Sequence, residues 1–207
     1  MTKKIKTDED FETLGKHKIR TNSVYPNVVT QEQINVFMQH INQSENSRNR
    51  AIISMMFFTG IRISEVLNIK VENINLVEQT IKIIDEKTNR EVRIFFYPQE
   101  FMEIITEYIQ LENINEGLLF KSNKGNRLDR TVINKIFIAY SKDKLIPITP
   151  RDLRRNWCKL AASSKMNPSE IASQLGHKSI QSMQYYYKNH TQEKLIEEIN
   201  DLFKTKK

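Results

Sequence analysis

Apolar residues begin to recur at helical spacing at Thr30. Thr30 and Gln33 form a capping box, and Ile34, Phe37, Met38 and Ile41 follow at i, i+3, i+4 and i+7, the stripe of a surface helix with one buried face. From Arg48 to Thr59 the chain is apolar nearly all round (Ala51, Ile52, Ile53, Met55, Met56, Phe57, Phe58), which predicts a buried helix closed by Gly60 as its C-cap. Ile61 to Asn68 reads as a further short helix. At Thr80 the period shifts to two: Ile81 and Ile83, then Val92, Ile94 and Phe96, make two short strands around a polar turn at Lys87, Thr88, Asn89 and Arg90. Helical spacing returns at Pro98 to Gln110 (Phe101, Ile104, Ile105, Tyr108, Ile109). It returns again after the Asn123 to Asn126 turn, with Val132, Ile133, Ile136, Phe137 and Tyr140. Pro147 and Pro150 bracket a loop before a helix bearing Leu153, Trp157, Leu160 and Ala161. Pro168 opens the next helix, Gly176 turns the chain, and Leu195, Ile196, Ile199, Leu202 and Phe203 stripe a last amphipathic helix.

The pattern predicts a mainly α fold with one small antiparallel sheet (α+β). Residues 1–27, with mixed charge and little periodicity, read as a basic arm or lead-in; residues 28–199 read as one domain and 200–207 as a tail. No repeat or low-complexity block interrupts this plan.

Composition then narrows the function. Lys plus Arg total 32 against 25 Asp plus Glu, a net charge of +7, which favours a polyanionic partner. No window approaches the ~20 apolar residues of a membrane span, and the start lacks a signal peptide's apolar stretch, so a soluble, cytoplasmic protein with no membrane partner is expected. The one cysteine, Cys158, excludes an internal disulfide and a CxxC metal pair, and reads as a small buried apolar residue. Neither GxxxxGK[ST] nor GxGxxG occurs, so no cofactor or NTP site is expected.

Four strings stand out together: TGIRISEVL (Thr59 to Leu67), EKTNREVRI (Glu86 to Ile94), RDLRRNWCKLA (Arg151 to Ala161) and LGHKSIQSMQYYYK (Leu175 to Lys188). In order and spacing they resemble the catalytic domain of the tyrosine site-specific recombinases, the phage integrase family, over about Val28 to Ile199. That family has an Arg in a TGxRxSE helix, a Lys in a β-hairpin turn, an HxLR string, and LGH followed nine residues later by a nucleophilic Tyr. Tyr186 lies nine residues after His177, which assigns it, rather than Tyr185 or Tyr187, to the nucleophile position. The resemblance implies catalytic roles for Arg62, Lys87, Arg154, His177 and Tyr186, with Arg151 at the position of the HxLR histidine.

The chemistry of each residue type agrees. Cutting a phosphodiester without metal or activated water needs a side-chain oxygen nucleophile, cations on the phosphorane, and an acid for the leaving 5′ oxygen. Tyr186 supplies the oxygen, and a phosphotyrosine bond can be reversed by an incoming 5′ hydroxyl without ATP. Arg62 and Arg154 offer planar forks for the non-bridging oxygens. Lys87 can protonate the leaving oxygen, although Lys82, Arg90 and Arg93 stand nearby and leave open which hairpin cation does so. His177 can donate a hydrogen bond to the phosphate.

One position departs from the pattern. Arg151 replaces the histidine that accepts the tyrosine proton, and a guanidinium stays protonated near neutrality. It can still bind phosphate and acidify the phenol electrostatically, leaving a water or Asp152 to take the proton. A type IB topoisomerase and a non-catalytic DNA-binding relative remain alternatives. With 29 residues before Thr30, the chain resembles the short family members that are almost all catalytic domain. The resemblance implies double-stranded DNA with specific recombination sites as partner, a homotetramer in the synaptic complex, an accessory DNA-bending protein in some reactions, and a C-terminal helix that docks in cis or passes to a neighbouring protomer. The positive charge has a centre: Lys142 to Lys159 holds six cations against two anions, a net +4 around Arg154.

Overall fold

The computed structural model describes residues 29–85, 90–141, 147–164 and 166–176, by backbone only at residues 85 and 90–92. Lys87, His177 and Tyr186, the basic arm and the last amphipathic helix therefore lie outside the described residues.

Seven α-helices and three strands are described: α1 (Gln31–Asn42), α2 (Ser47–Thr59), α3 (Ile63–Val66), β1 (Ile74–Asn75), β2 (Thr80–Asp85), β3 (Arg90–Phe96), α4 (Gln99–Leu111), α5 (Arg130–Tyr140), α6 (Pro150–Ser163) and α7 (Pro168–Leu175). The fold is mainly helical with one small antiparallel sheet, as the pattern predicts. The capping box at Thr30 is present, and the four predicted stripe residues of α1 are its buried ones. Helix α2 runs through the centre against α1, α4 and α6. Its residues from Ala51 to Met56 are all buried, which explains why it shows no polar face. Phe37 stacks on Phe137 at 5.4 Å and Tyr97 meets Phe101 edge-on at 5.2 Å, tying α1 to α5 and the sheet to α4.

Three details differ from the pattern. A third strand, β1, pairs with β2 through Ile74–Ile81 and Asn75–Thr80, too short to carry an alternation of its own. On β3, Phe96 is 62% exposed, whereas Phe95 and Tyr97 are buried. The inner face is set by Phe95, which pairs with buried Ile81, so Phe96 points the other way; a β-bulge at Val92, where Ile83 pairs with Arg93 but Ile84 with Glu91, lies before this stretch. Leu160, read as part of the apolar stripe of α6, is 49% exposed; Asn156, Cys158 and Ala162 take the inner face with Leu153 and Ala161.

Candidate active site

Two helix ends meet at one corner, and each requires its glycine. Gly60 ends α2 at φ +65°, the left-handed region. A Cβ there would sit 3.0 Å from Leu175 Cδ2 and 3.1 Å from Trp157 Cγ, so α2 closes directly onto α6 and the end of α7. Trp157 seals the contact by donating its indole N–H to the Phe58 carbonyl at 2.9 Å. Gly176 ends α7 at φ +59°, and a Cβ on it would overlap the Arg93 guanidinium. The glycines of the TGxR and LGH strings thus cap two helices that abut.

The two candidate arginines tie these caps together crosswise. Arg154, on α6, donates Nη1 to the carbonyl of Gly60 at 2.7 Å and Nη2 to that of Leu175 at 2.8 Å. Arg62, extended at the entry to α3, donates Nη2 to the carbonyl of Gly176 at 3.3 Å and Nη1 to Glu65 Oε1 at 3.2 Å. Helix C-termini carry partial negative charge, so guanidinium groups are attracted to these positions. Glu65 also accepts the backbone N–H of Arg62 through Oε2 at 2.9 Å, which fixes where the arginine leaves the chain. The Arg62 side chain remains 40% exposed.

A third guanidinium completes the corner. Arg93, on β3, is 9% exposed in its side chain; it forms an ion pair with Glu65 Oε1 and donates Nη1 to the Leu175 carbonyl at 2.7 Å. Its charge lies over the Phe95 ring at 5.2 Å. Burial, reinforced by the nearby positive charges of Arg62 and Arg154, brings its pKa down to about 10.

Among the described candidates, the fold brings Arg62 and Arg154 together and keeps Arg151 apart from their network. Arg151 is exposed on the first turn of α6, where its side chain forms no hydrogen bond or ion pair with the described residues. Asp152 turns back on its own helix start: its carboxylate accepts the Thr149 backbone N–H at 3.0 Å and the Thr149 hydroxyl, with Arg155 at 3.7 Å. Cys158 is buried as expected, and burial pushes its thiol up to about 11. Glu65 and Arg93 were not singled out as site residues by sequence reasoning. Glu65 had a signal, three residues after Arg62 where a carboxylate can fold back on a helix N-terminus. Arg93 was one of several hairpin cations, and it faces inward because it shares a face of β3 with Phe95.

The sequence matches the phage integrase family model over residues 27–193. The chain belongs to the phage integrase family. This member is 32% identical to the TnP I resolvase of Bacillus thuringiensis over 187 residues, covering 87% of this chain and 64% of that protein. It is 24% identical to the tyrosine recombinase XerS of Streptococcus gordonii over 206 residues, covering 89% of this chain and 57% of XerS. The chain thus spans about 60% of the length of these two relatives. A crystal structure of XerA recombinase superposes with a TM-score of 0.71 at 21% identity, covering 92% of this chain and 68% of that one. XerH site-specific recombinase bound to its difH substrate superposes at 0.64 and 22% identity, covering 78% and 50%. These structures share the fold of this integrase family member.

Proposed function

We propose that the chain is a tyrosine-type site-specific DNA recombinase, with residues 28–199 as its catalytic domain. The observation that carries this reading is the crosswise tie of Arg62 and Arg154 onto the two glycine caps: two forked cations from distant parts of the sequence are held at one corner, immediately before His177 in the chain. Such a pair suits the non-bridging oxygens of one phosphodiester.

In this reading the Tyr186 oxygen attacks the phosphorus, a 3′-phosphotyrosyl bond forms, and the bond to the 5′ oxygen breaks. Lys87 gives the leaving 5′ oxygen its proton. Arg62, Arg154 and His177 hold the charge that builds on the phosphorane. An incoming 5′ hydroxyl reverses the step and frees Tyr186, so bond energy is conserved and neither ATP nor metal is consumed. The phenol proton passes to water, since Arg151 occupies the acceptor position and Asp152 is engaged in its cap. Two specific sites on double-stranded DNA pair within a homotetramer, assisted in some reactions by a DNA-bending protein. The relatives named as a resolvase and as recombinases, one of them solved on its DNA substrate, support this assignment.

The test is a nicked suicide substrate built on the recombination site, once paired inverted or direct repeats have been located beside the coding gene. A covalent protein–DNA complex, absent in Tyr186→Phe, and recombinant products that require two sites are expected. Binding without covalent trapping would leave a non-catalytic DNA-binding relative, and relaxation of supercoils by a single site would indicate a topoisomerase.

A further inference from the structure

Arg93 shares an acceptor with each member of the arginine pair. Glu65 Oε1 receives both Arg62 Nη1 and Arg93 Nη2, and the Leu175 carbonyl receives both Arg154 Nη2 and Arg93 Nη1. The Arg93 side chain is largely buried, and it packs so closely on Gly176 that no side chain fits between them. It also stands on β3, the strand that begins three residues after Lys87 in the chain.

We infer that Arg93 is a positioning residue of the reaction: it couples the hairpin to the two phosphate-binding arginines and keeps both of them turned toward substrate. The inference rests on the strand-transfer reading above. The physical reason lies in competition for acceptors. While Arg93 holds Glu65 Oε1, Arg62 forms a single weak contact of 3.2 Å with that oxygen. With Arg93 removed, Glu65 Oε1 is left to Arg62 alone while Oε2 keeps the Arg62 backbone N–H, so the carboxylate holds the guanidinium more tightly and draws a donor away from a phosphate. Arg154 at the same time loses the guanidinium that fixes the position of Leu175. Only a planar fork reaches a carboxylate on one side and a carbonyl on the other, so lysine replaces the charge but not the bridge.

The experiment compares the wild type with Arg93→Met and Arg93→Lys in three measurements: single-turnover covalent trapping on the nicked duplex, affinity for the same duplex, and melting temperature. Arg93→Met is expected to slow trapping about 100-fold, the scale of losing one preorganised donor, with duplex affinity within about threefold because backbone contacts elsewhere dominate it. Arg93→Lys should recover about tenfold of that loss. Trapping at the wild-type rate in either variant overturns the inference, as does a parallel fall of trapping, affinity and melting temperature, which is the signature of a residue that only holds the fold. Should Arg93→Met not fold, Arg93→Lys alone decides, by slowed trapping at unchanged affinity. If the wild type itself forms no covalent complex, the recombinase reading fails, and Arg93 is judged on orthovanadate titrated against the arginine Nε–H resonances. Binding about tenfold weaker in Arg93→Lys upholds it there, and equal binding overturns it.

Discussion

Arg154 reaches across 94 residues to donate Nη1 to the carbonyl of Gly60 at 2.7 Å, at the turn that ends α2 two positions before Arg62. One candidate phosphate ligand therefore fixes the backbone from which the other departs. The same side chain also holds Leu175, beside the Gly176 carbonyl that Arg62 contacts. Neither arginine is placed independently, so a change to either cap is transmitted to both.

Gly60→Ala tests that dependence. A left-handed residue with a side chain costs roughly 1 to 2 kcal/mol, and forcing a methyl against Trp157 and Leu175 adds about 1 to 3 kcal/mol. Gly125 has a similar φ of +77° but nothing within 4 Å of a built Cβ, so Gly125→Ala should show the backbone cost alone. Urea unfolding of the two variants should separate by at least about 1 kcal/mol, and equal midpoints would mean that the close approach at Gly60 carries no energy.

This corner also shows how far the sequence could be read. The stripe of α1, the uniformly buried α2 and both glycine caps follow from short-range rules, because a capping box or a left-handed turn involves residues three or four apart. Arg62 and Arg154 were legible because fixed string spacing stood in for geometry. Arg93 was not. It shares the inner face of β3 with Phe95 and packs against a glycine 83 positions away in the chain, whereas a charged residue between Val92 and Ile94 reads as outward-facing. Phe95, Phe96 and Tyr97 are consecutive aromatics, so hydrophobicity could not say which of the three faces water.

Stability should fall steeply at alkaline pH. Tyr97 and Tyr108 are 5% and 3% exposed and donate their hydroxyls to the carbonyls of Asn75 and Leu119, each at 3.0 Å. Burial pushes both phenols from 10.0 up to about 12. The unfolded chain therefore loses these protons first as pH rises. The stabilisation is whole below pH 10 and disappears on approach to pH 12, on the order of 2 kcal/mol per tyrosine. Arg93 acts oppositely, since its pKa is depressed in the fold: above about pH 10 the folded state releases that proton first and the cost of burying the cation fades. The difference between wild-type and Tyr97→Phe/Tyr108→Phe unfolding curves cancels the Arg93 contribution. That difference should shrink between pH 9 and pH 11.5, and a constant offset would refute the tyrosine assignment.

At residue 151 this chain departs from its family's HxLR motif. Arg151 is exposed on the first turn of α6, and a cation there opposes the positive end of the helix dipole by about 0.3 to 1 kcal/mol. Arg151→His should consequently leave the melting temperature unchanged or slightly raised, which frees the experiment to report on chemistry. If water accepts the Tyr186 proton in the wild type, covalent trapping should keep rising with pH across the neutral range. An imidazole at this position titrates near 6.5, so trapping by Arg151→His should level off above about pH 7 and exceed the wild type there by about tenfold or more, the lower range of general-base assistance. Asp152→Asn supplies the control. Because that carboxylate closes the Thr149 capping box, its loss should lower stability by about 1 kcal/mol without changing the shape of the pH profile. A flattened profile in Asp152→Asn would make the aspartate the acceptor, and superimposable profiles for wild type and Arg151→His would remove position 151 from the proton transfer altogether.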